Sequence, residues 1–290
     1  MSKIIPFEAL LPNQRFAGRI ISPPYDVVTT DEARLLAKDN PYSFLHIIKP
    51  EIDLPPDTDP YSNAVYEKGA ENFSNFQKEG WLIKNESSFY IYRLVSGAHT
   101  QTGIVCGASA DEYGRGLIKK HELTREAKVA DRVRLAERTG THLEPVFLVH
   151  RSSRAVASFL EEETKSAPLY DLTDKDSVRH VLWEIKRKGE IGRIFSKIPA
   201  LYIADGHHRS EAAFRLKDKS HYFPAVVFSE EDVVVYEYHF NGEKEKRPLS
   251  RYTIKDIMEC ADKKEIMPPK STWFAPKLAS GLFVYKFSAK

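Results

Sequence analysis

Pro199-Ala-Leu-Tyr-Ile-Ala-Asp-Gly-His-His-Arg-Ser-Glu-Ala-Ala-Phe-Arg-Leu216 changes character at its centre. Ala200 to Ala204 is a short apolar run bounded by Pro199, the pattern of a buried strand. Arg209 to Lys217 is rich in Ala, Leu, Glu, Arg and Lys, the composition of a helix. Asp205, Gly206, His207 and His208 lie between them. A strand that hands over to a helix in this way presents the helix's first unpaired N–H groups and the positive end of its dipole, both of which favour an anion. Gly206 lets backbone approach a ligand closely. A plain strand-to-helix turn with Asp205 as N-cap accounts for part of the pattern. Such a turn needs one or two polar residues, however, and here Asp205, His207, His208, Arg209 and Ser210 gather at one strand end, where ligands of sheet proteins tend to bind.

A second informative stretch runs from Lys119 to Arg138. Thr124 is placed to cap a helix reaching about Arg138. At ~100° per residue, Arg125, Lys128 and Arg132 fall within a narrow sector, with Val129, Val133, Leu135 and Ala136 in or beside it, the face expected to turn inward. Cations on an inward face require carboxylates or a bound phosphate, unless their stems only lie along the edge of the core. Lys120, His121 and Glu122 come just before this helix, and a cationic wall beside Glu122 favours its charged form. Ser22-Pro-Pro-Tyr-Asp26 is a stiff segment that presents Tyr25 and Asp26, read either as a rigid corner or as a substrate contact. Met267 to Lys277 holds three prolines. It offers Lys270, Ser271, Thr272 and Lys277 as anion donors, or packs as a tail through Trp273 and Phe274.

The remaining pattern predicts strands at Arg19–Ile21, Tyr42–Ile48, Gln101–Ala110, His142–His150, Leu169–Thr173, Ser177–Ile185, Tyr222–Phe228, Val233–Phe240 and Leu282–Phe287. Trp81–Ile83 and Phe89–Leu94 read as a hairpin. Helices are expected at Thr30–Ala37, Tyr61–Glu79 (closed by Gly80), Ser152–Lys165 and Gly189–Lys197. Pro50 to Pro60 reads as a surface loop. Strands and helices mix without steady βαβ alternation, so the expected fold is α+β with a mixed sheet.

The chain has 290 residues, 42% hydrophobic and 29% charged, with a net charge of +2. That suits a soluble globular protein and gives no global pull toward nucleic acid or membrane. No apolar stretch is long enough to cross a bilayer, and the N-terminus lacks a signal-peptide pattern. Cys106 and Cys260 stand far apart with no neighbour at metal spacing, and Cys106 lies in an apolar run as a buried thiol. A reducing cytoplasm is the expected setting.

The Ala-Asp-Gly-His-His-Arg box resembles the signature of the domain-of-unknown-function 1015 family. Further matching segments are Ser22-Pro-Pro-Tyr-Asp-Val-Val28, Asn40-Pro-Tyr42, Lys120-His-Glu-Leu-Thr124 with Asp131-Arg132, Glu144-Pro-Val-Phe147 and Met267-Pro-Pro-Lys-Ser-Thr272. The resemblance covers most of the chain. It implies a single domain over 1–290, divisible into lobes at 1–150 and 151–290, and a segment between 241 and 266 that is shorter than in other family chains. That family is similar to the ParB/sulfiredoxin superfamily, which includes free-serine kinases, a sulfinic-acid reductase and nucleotide-binding partition proteins. The likeness implies a phosphate-binding core with a serine-sized acceptor.

Three function classes follow, in this order. The first is a phosphotransferase acting between a nucleotide or pyrophosphate and a small hydroxy amino acid such as serine, or in reverse on phosphoserine. In this reading Lys120, His121, Arg125, Lys128, Arg132, Gly206, Arg209, Ser210 and Lys270–Thr272 grip phosphate. Glu122 or Asp205 takes a proton, His207 and His208 assist, and Mg²⁺ spreads charge. No P-loop is present. The second is a ParB-like nucleotide-binding regulator without catalysis; no basic patch or helix-turn-helix suits a duplex. The third is a metal-dependent hydrolase using His207 and His208, which lacks a third ligand at readable spacing.

Overall fold

The strand expected at Ala200–Ala204 runs from Leu201 to Asp205. Leu201 and Ile203 face one hydrophobic core, Tyr202 and Ala204 another, so both faces are covered. Side chains alternate across a strand, and an unbroken apolar run is what two covered faces demand. The same division holds for Phe147 and Val149 against Val146 and Leu148 in the neighbouring strand. This computed structural model describes residues 2–237, 253–265, 272–275 and 278–287.

The fold is α+β. Its central sheet has nine strands. In spatial order they are Ile118–Lys119, Leu201–Asp205, Val146–His150, Tyr222–Ser229, His99–Ser109, Tyr90–Ser96, Arg179–Glu184 and Tyr170–Thr173, with Ile4–Ile5 pairing on His99–Ser109. Strands from either side of residue 150 are interleaved in it. Leu201–Asp205 is parallel to Ile118–Lys119, and Val146–His150 is parallel to Tyr222–Ser229; the other pairs are antiparallel, so the sheet is mixed.

Helices Arg154–Glu163 and Lys188–Phe195 cover one face. The other face packs against a four-stranded sheet of Leu82–Ser88, Phe7–Pro12, Val284–Lys286 and Thr141–His142, and against helix Ile254–Asp262. A third core lies among helices Thr30–Ala37, Leu45–Ile48 and Asn63–Lys78. Among the described residues, no helix is long and apolar enough to cross a membrane.

Several local expectations are corrected. Arg19–Ile21 is not a strand: Ala17–Ile20 forms one helical turn, with Ala17 and Ile20 buried three residues apart. Tyr42–Ile48 is not a strand either. Leu45–Ile48 is helical, because Phe44, Leu45, Ile47 and Ile48 are buried among helices; a short apolar run is ambiguous in period. The hairpin is replaced by two strands in different sheets. Leu82–Ser88 pairs with Phe7–Pro12, while Tyr90–Ser96 pairs with His99–Ser109 and Arg179–Glu184. His142–His150 breaks at Glu144-Pro145 into Thr141–His142 and Val146–His150, since proline cannot donate to a ladder. Thr124 does not cap the cationic helix, which runs Glu126–Thr139 with Arg125 at the N-cap position and no side-chain cap. Lys270, Ser271, Lys277 and the shortened stretch up to 252 lie outside the described residues; Thr272 is described only as part of the strand Thr272–Ala275.

Candidate anion-binding site

The pairing of Leu201–Asp205 with Val146–His150 shifts register between Ile203 and Asp205, which re-aims the strand end. Gly206 follows in the left-handed region, at φ +95°, and is the N-cap of helix His207–Arg215. The helix therefore starts two residues before the predicted Arg209, and Asp205 is not its cap. The first N–H groups of the helix, at His207 and His208, have no partner within it.

Arg209 lies beneath Gly206 and is buried. Its Nη2 donates to Asp205 Oδ2 at 2.7 Å, its Nη1 donates to the Pro145 carbonyl, and Nη2 stands 3.9 Å from Asp26 Oδ2. Burial opposes its charge, but Asp205, Asp26 and Glu144 outweigh that and raise its pKa. One guanidinium thus ties the strand end, the chain break at Pro145 and the Tyr25–Asp26 segment together.

Arg132 is used in a similar way. It donates to Asp131 Oδ2 through Nη2 at 2.5 Å and Nε at 2.8 Å, lies 3.7 Å from Glu144 Oε2, and covers the Tyr25 ring at 3.8 Å. The Tyr66 hydroxyl donates to Asp131 Oδ1 at 3.0 Å. Glu144 Oε1 accepts the Tyr25 N–H at 3.2 Å and the Ser280 hydroxyl at 2.8 Å. Burial pushes the Glu144 carboxyl up, against the pull of Arg209 and Arg132. The inward cations on the helical wheel therefore found carboxylates in the case of Arg132. Ser210 is also turned inward, its hydroxyl donating to the Gly206 carbonyl at 3.1 Å.

The groups left facing outward are Arg125, which is exposed, and Lys128, which is half-buried; neither has an ion pair among the described residues. Both depress the pKa of His208, after burial, which lowers it first. His208 Nε2 accepts the backbone N–H of Arg125 at 3.1 Å, which leaves the ring's proton on Nδ1. Lys120 is exposed, with Nζ 5.2 Å from the Tyr113 ring centre.

Glu122 is half-exposed, with Oε2 3.8 Å from His207 Nδ1. The expectation that cations hold it ionised is reversed. Partial burial and the Asp205 carboxylate raise its pKa, and Lys128 and Arg125 only partly offset them. His207 is buried and neutral, its pKa well below the ordinary value through burial and then His121. Burial lowers His121 to about 4; its ring meets that of His207 edge-on, with centroids 4.5 Å apart. His207 Nε2 is buried without a hydrogen bond among the described residues.

The structure therefore brings Asp26, Glu122, Arg125, Lys128, Asp205, Gly206, His207 and His208 into one neighbourhood, with His121 behind them. Tyr25, Arg132, Arg209 and Ser210 form its support. Sequence reasoning gave no role to Asp131, Glu144 or Ser280. The signal for Glu144 was a carboxylate inside an apolar run; Ser280 carried none. Asp26, Glu122 and Asp205 are oxygen donors of the kind that suits Mg²⁺, an ion that usually takes one or two carboxylates plus substrate phosphates. Among the described residues, no three His, Cys, Asp or Glu side chains are grouped as a ready-made metal site.

Neither the comparison with curated proteins nor that with solved structures gives a match. A family model described as "Protein of unknown function (DUF1015)" matches residues 4–239, a span that takes in every element around the site except Ser280. The chain belongs to the DUF1015 family.

Proposed function

We propose that this protein transfers a phosphoryl group between a nucleotide or pyrophosphate and a small hydroxy amino acid, free serine in the first instance, in either direction. The observation that carries the reading is the open N-terminus of helix His207–Arg215 beside Arg125, Lys128 and a carboxylate, Glu122, whose pKa is raised. Phosphoryl transfer asks mainly for placement and charge neutralisation. The N–H groups of His207 and His208, the Nδ1–H of His208, and the Arg125 and Lys128 side chains hold the phosphate oxygens. Glu122 accepts the proton of the attacking hydroxyl, and a raised carboxyl pKa makes it a stronger base. Asp26 holds the ammonium of the amino acid, on a segment fixed by Glu144 and by the Tyr25–Arg132 contact. His207 stays neutral and orients Glu122.

Mg²⁺ entering with the donor, held by Asp205, would neutralise charge on the phosphates. A ParB/sulfiredoxin-like core and kinship with free-serine kinases belong to the same proposal. The test is incubation with Mg²⁺, serine and each of ATP, ADP and pyrophosphate, followed by assay for phosphoserine, and the reverse reaction from phosphoserine. Phosphoserine from at least one donor is expected. No transfer in either direction, with tight nucleotide binding, replaces this reading by that of a ParB-like regulator.

A further inference from the structure

A cavity of about 520 Å³ opens on the other side of the segment that carries Tyr25 and Asp26. Ser22, Pro23, Pro24 and Val27 wall it, whereas Tyr25 and Asp26 turn away toward Arg132 and Arg209. Its volume falls within the ~300–1,000 Å³ of small-molecule pockets. None of the anion-site residues lines it.

The opposite wall is fixed by a relay that starts from two buried groups, Tyr92 and His180, and ends at the half-buried Asp174. The Tyr92 hydroxyl donates to His180 Nδ1 at 2.5 Å, and His180 Nε2 donates to Asp174 Oδ2 at 3.0 Å. Asp174 Oδ1 also accepts the N–H groups of Asp176 and Val178, each at 2.9 Å. Burial alone would raise the Asp174 pKa, but these donors lower it. Three donors within the protein already engage Asp174, so the relay chiefly shapes the wall.

The floor is apolar: Ile21, Pro24, Leu45, Leu278 and Ala279 all face the cavity. At its mouth stand Arg19 and Lys175, both exposed, with no carboxylate partner among the described residues. Arg19 rests over the Tyr42 ring at 4.3 Å, which holds its guanidinium in place. Asp176, also exposed, is the remaining carboxylate on the lining besides the satisfied Asp174. An apolar pocket with two unpaired cations at its rim, against Asp176 as the one unpaired carboxylate among the described residues of its lining, suits a molecule with a hydrocarbon body and an anionic head.

We propose that this cavity binds a small amphiphilic anion, its hydrocarbon or ring body on the Leu45–Leu278 floor and its carboxylate or other anionic head between Arg19 and Lys175. Its occupancy does not depend on the reaction proposed above. The test titrates the full chain with octanoate by calorimetry at low salt, with octanol as the neutral comparison. Octanoate should bind once per chain and more tightly than octanol. Arg19→Ala and Lys175→Ala should each weaken octanoate about two- to fivefold, as loss of an exposed ion pair does, with octanol binding unchanged; the melting temperature should hold for Lys175→Ala, while Arg19→Ala also loses its contact with the Tyr42 ring. Val178→Trp, which fills the cavity from its half-buried rim, should abolish binding of both while pyrophosphate binding persists. Equal affinity for octanoate and octanol, no effect of either cation substitution, or no octanoate binding in the millimolar range would overturn the assignment.

Discussion

Gly206→Ala tests the hinge between strand and helix. Gly206 sits at φ +95°, ψ 32°, where an L-residue with a Cβ is strained by about 1–2 kcal/mol. Alanine returns about 0.4–1 kcal/mol by restricting the unfolded chain. The larger effect comes from contact. The added methyl would stand 3.1 Å from Cζ and Nε of Arg209 and 3.3 Å from its Nη2. That guanidinium cannot drift freely, because Asp205 and the Pro145 carbonyl pin it. Lengthening a charged hydrogen bond of this kind costs up to about 1.5–3 kcal/mol. The expected loss is therefore about 2–4 kcal/mol in urea unfolding. Pyrophosphate affinity should fall at least tenfold, since the first N–H groups of the helix turn with residue 206. Gly192→Ala is the control: it lies within helix Lys188–Phe195, meets nothing within 4 Å, and should stabilise by about 0.5–1 kcal/mol. The reasoning is refuted if Gly206→Ala stays within about 0.5 kcal/mol of the parent and binds pyrophosphate equally well.

Glu122→Gln should cut turnover by about 10²–10⁴-fold, the range for losing a general base; if activity is kept, Asp205 becomes the candidate base. Because the Glu122 pKa is raised, the acid limb of kcat/KM should lie above the ordinary carboxyl value of 4.5, with activity falling as pH drops through it. His208→Ala should weaken pyrophosphate binding and turnover together, and an effect on neither would remove His208 from the site. Glu144→Ala leaves the Tyr25 N–H and the Ser280 hydroxyl without their acceptor and removes the more distant of the two carboxylates beside Arg132, and should cost about 2–4 kcal/mol in denaturant, with Glu144→Gln much milder; equal effects would contradict the hydrogen-bonding role. His121 and His142 are buried neutral, with pKa values lowered to about 4 and about 3 from 6.5. The unfolded chain takes up protons at these sites first, so their contribution is intact above pH ~6.5 and is lost as pH falls. From pH 7 to 5 each should cost about 2 kcal/mol, and His142→Phe should remove its share of the slope in urea midpoints.

The strand–glycine–helix core of the site was legible because three local signals agreed: an apolar run covered on both faces, a glycine, and strong helix formers. The same holds for Asn63–Lys78, Arg154–Glu163 and the strands at His99–Ser109 and Tyr222–Ser229. The short segment Tyr42–Ile48 was misread as a strand because burial, which the sequence does not show directly, decides between a turn of helix and a strand. The false hairpin failed for another reason: Phe89 stands where the chain leaves one sheet for another, and pairing partners from Phe7–Pro12 and Arg179–Glu184 are remote in sequence. Within the site, the helical wheel found that Arg132 turns inward but left open what it meets. Asp131 follows from adjacency, whereas Glu144 and the Tyr25 ring require the tertiary fold. The reversal at Glu122 has the same origin, since partial burial and Asp205 are not visible in the spacing of Lys120 to Lys128.

The most direct test of the phosphate cradle is a crystal structure of the protein soaked in pyrophosphate with Mg²⁺. A phosphoryl group is expected against the N–H groups of His207 and His208, with Lys128 and Arg125 closing over its oxygens and Glu122 beside it. Pyrophosphate bound elsewhere, with the mouth of helix His207–Arg215 empty, would contradict it.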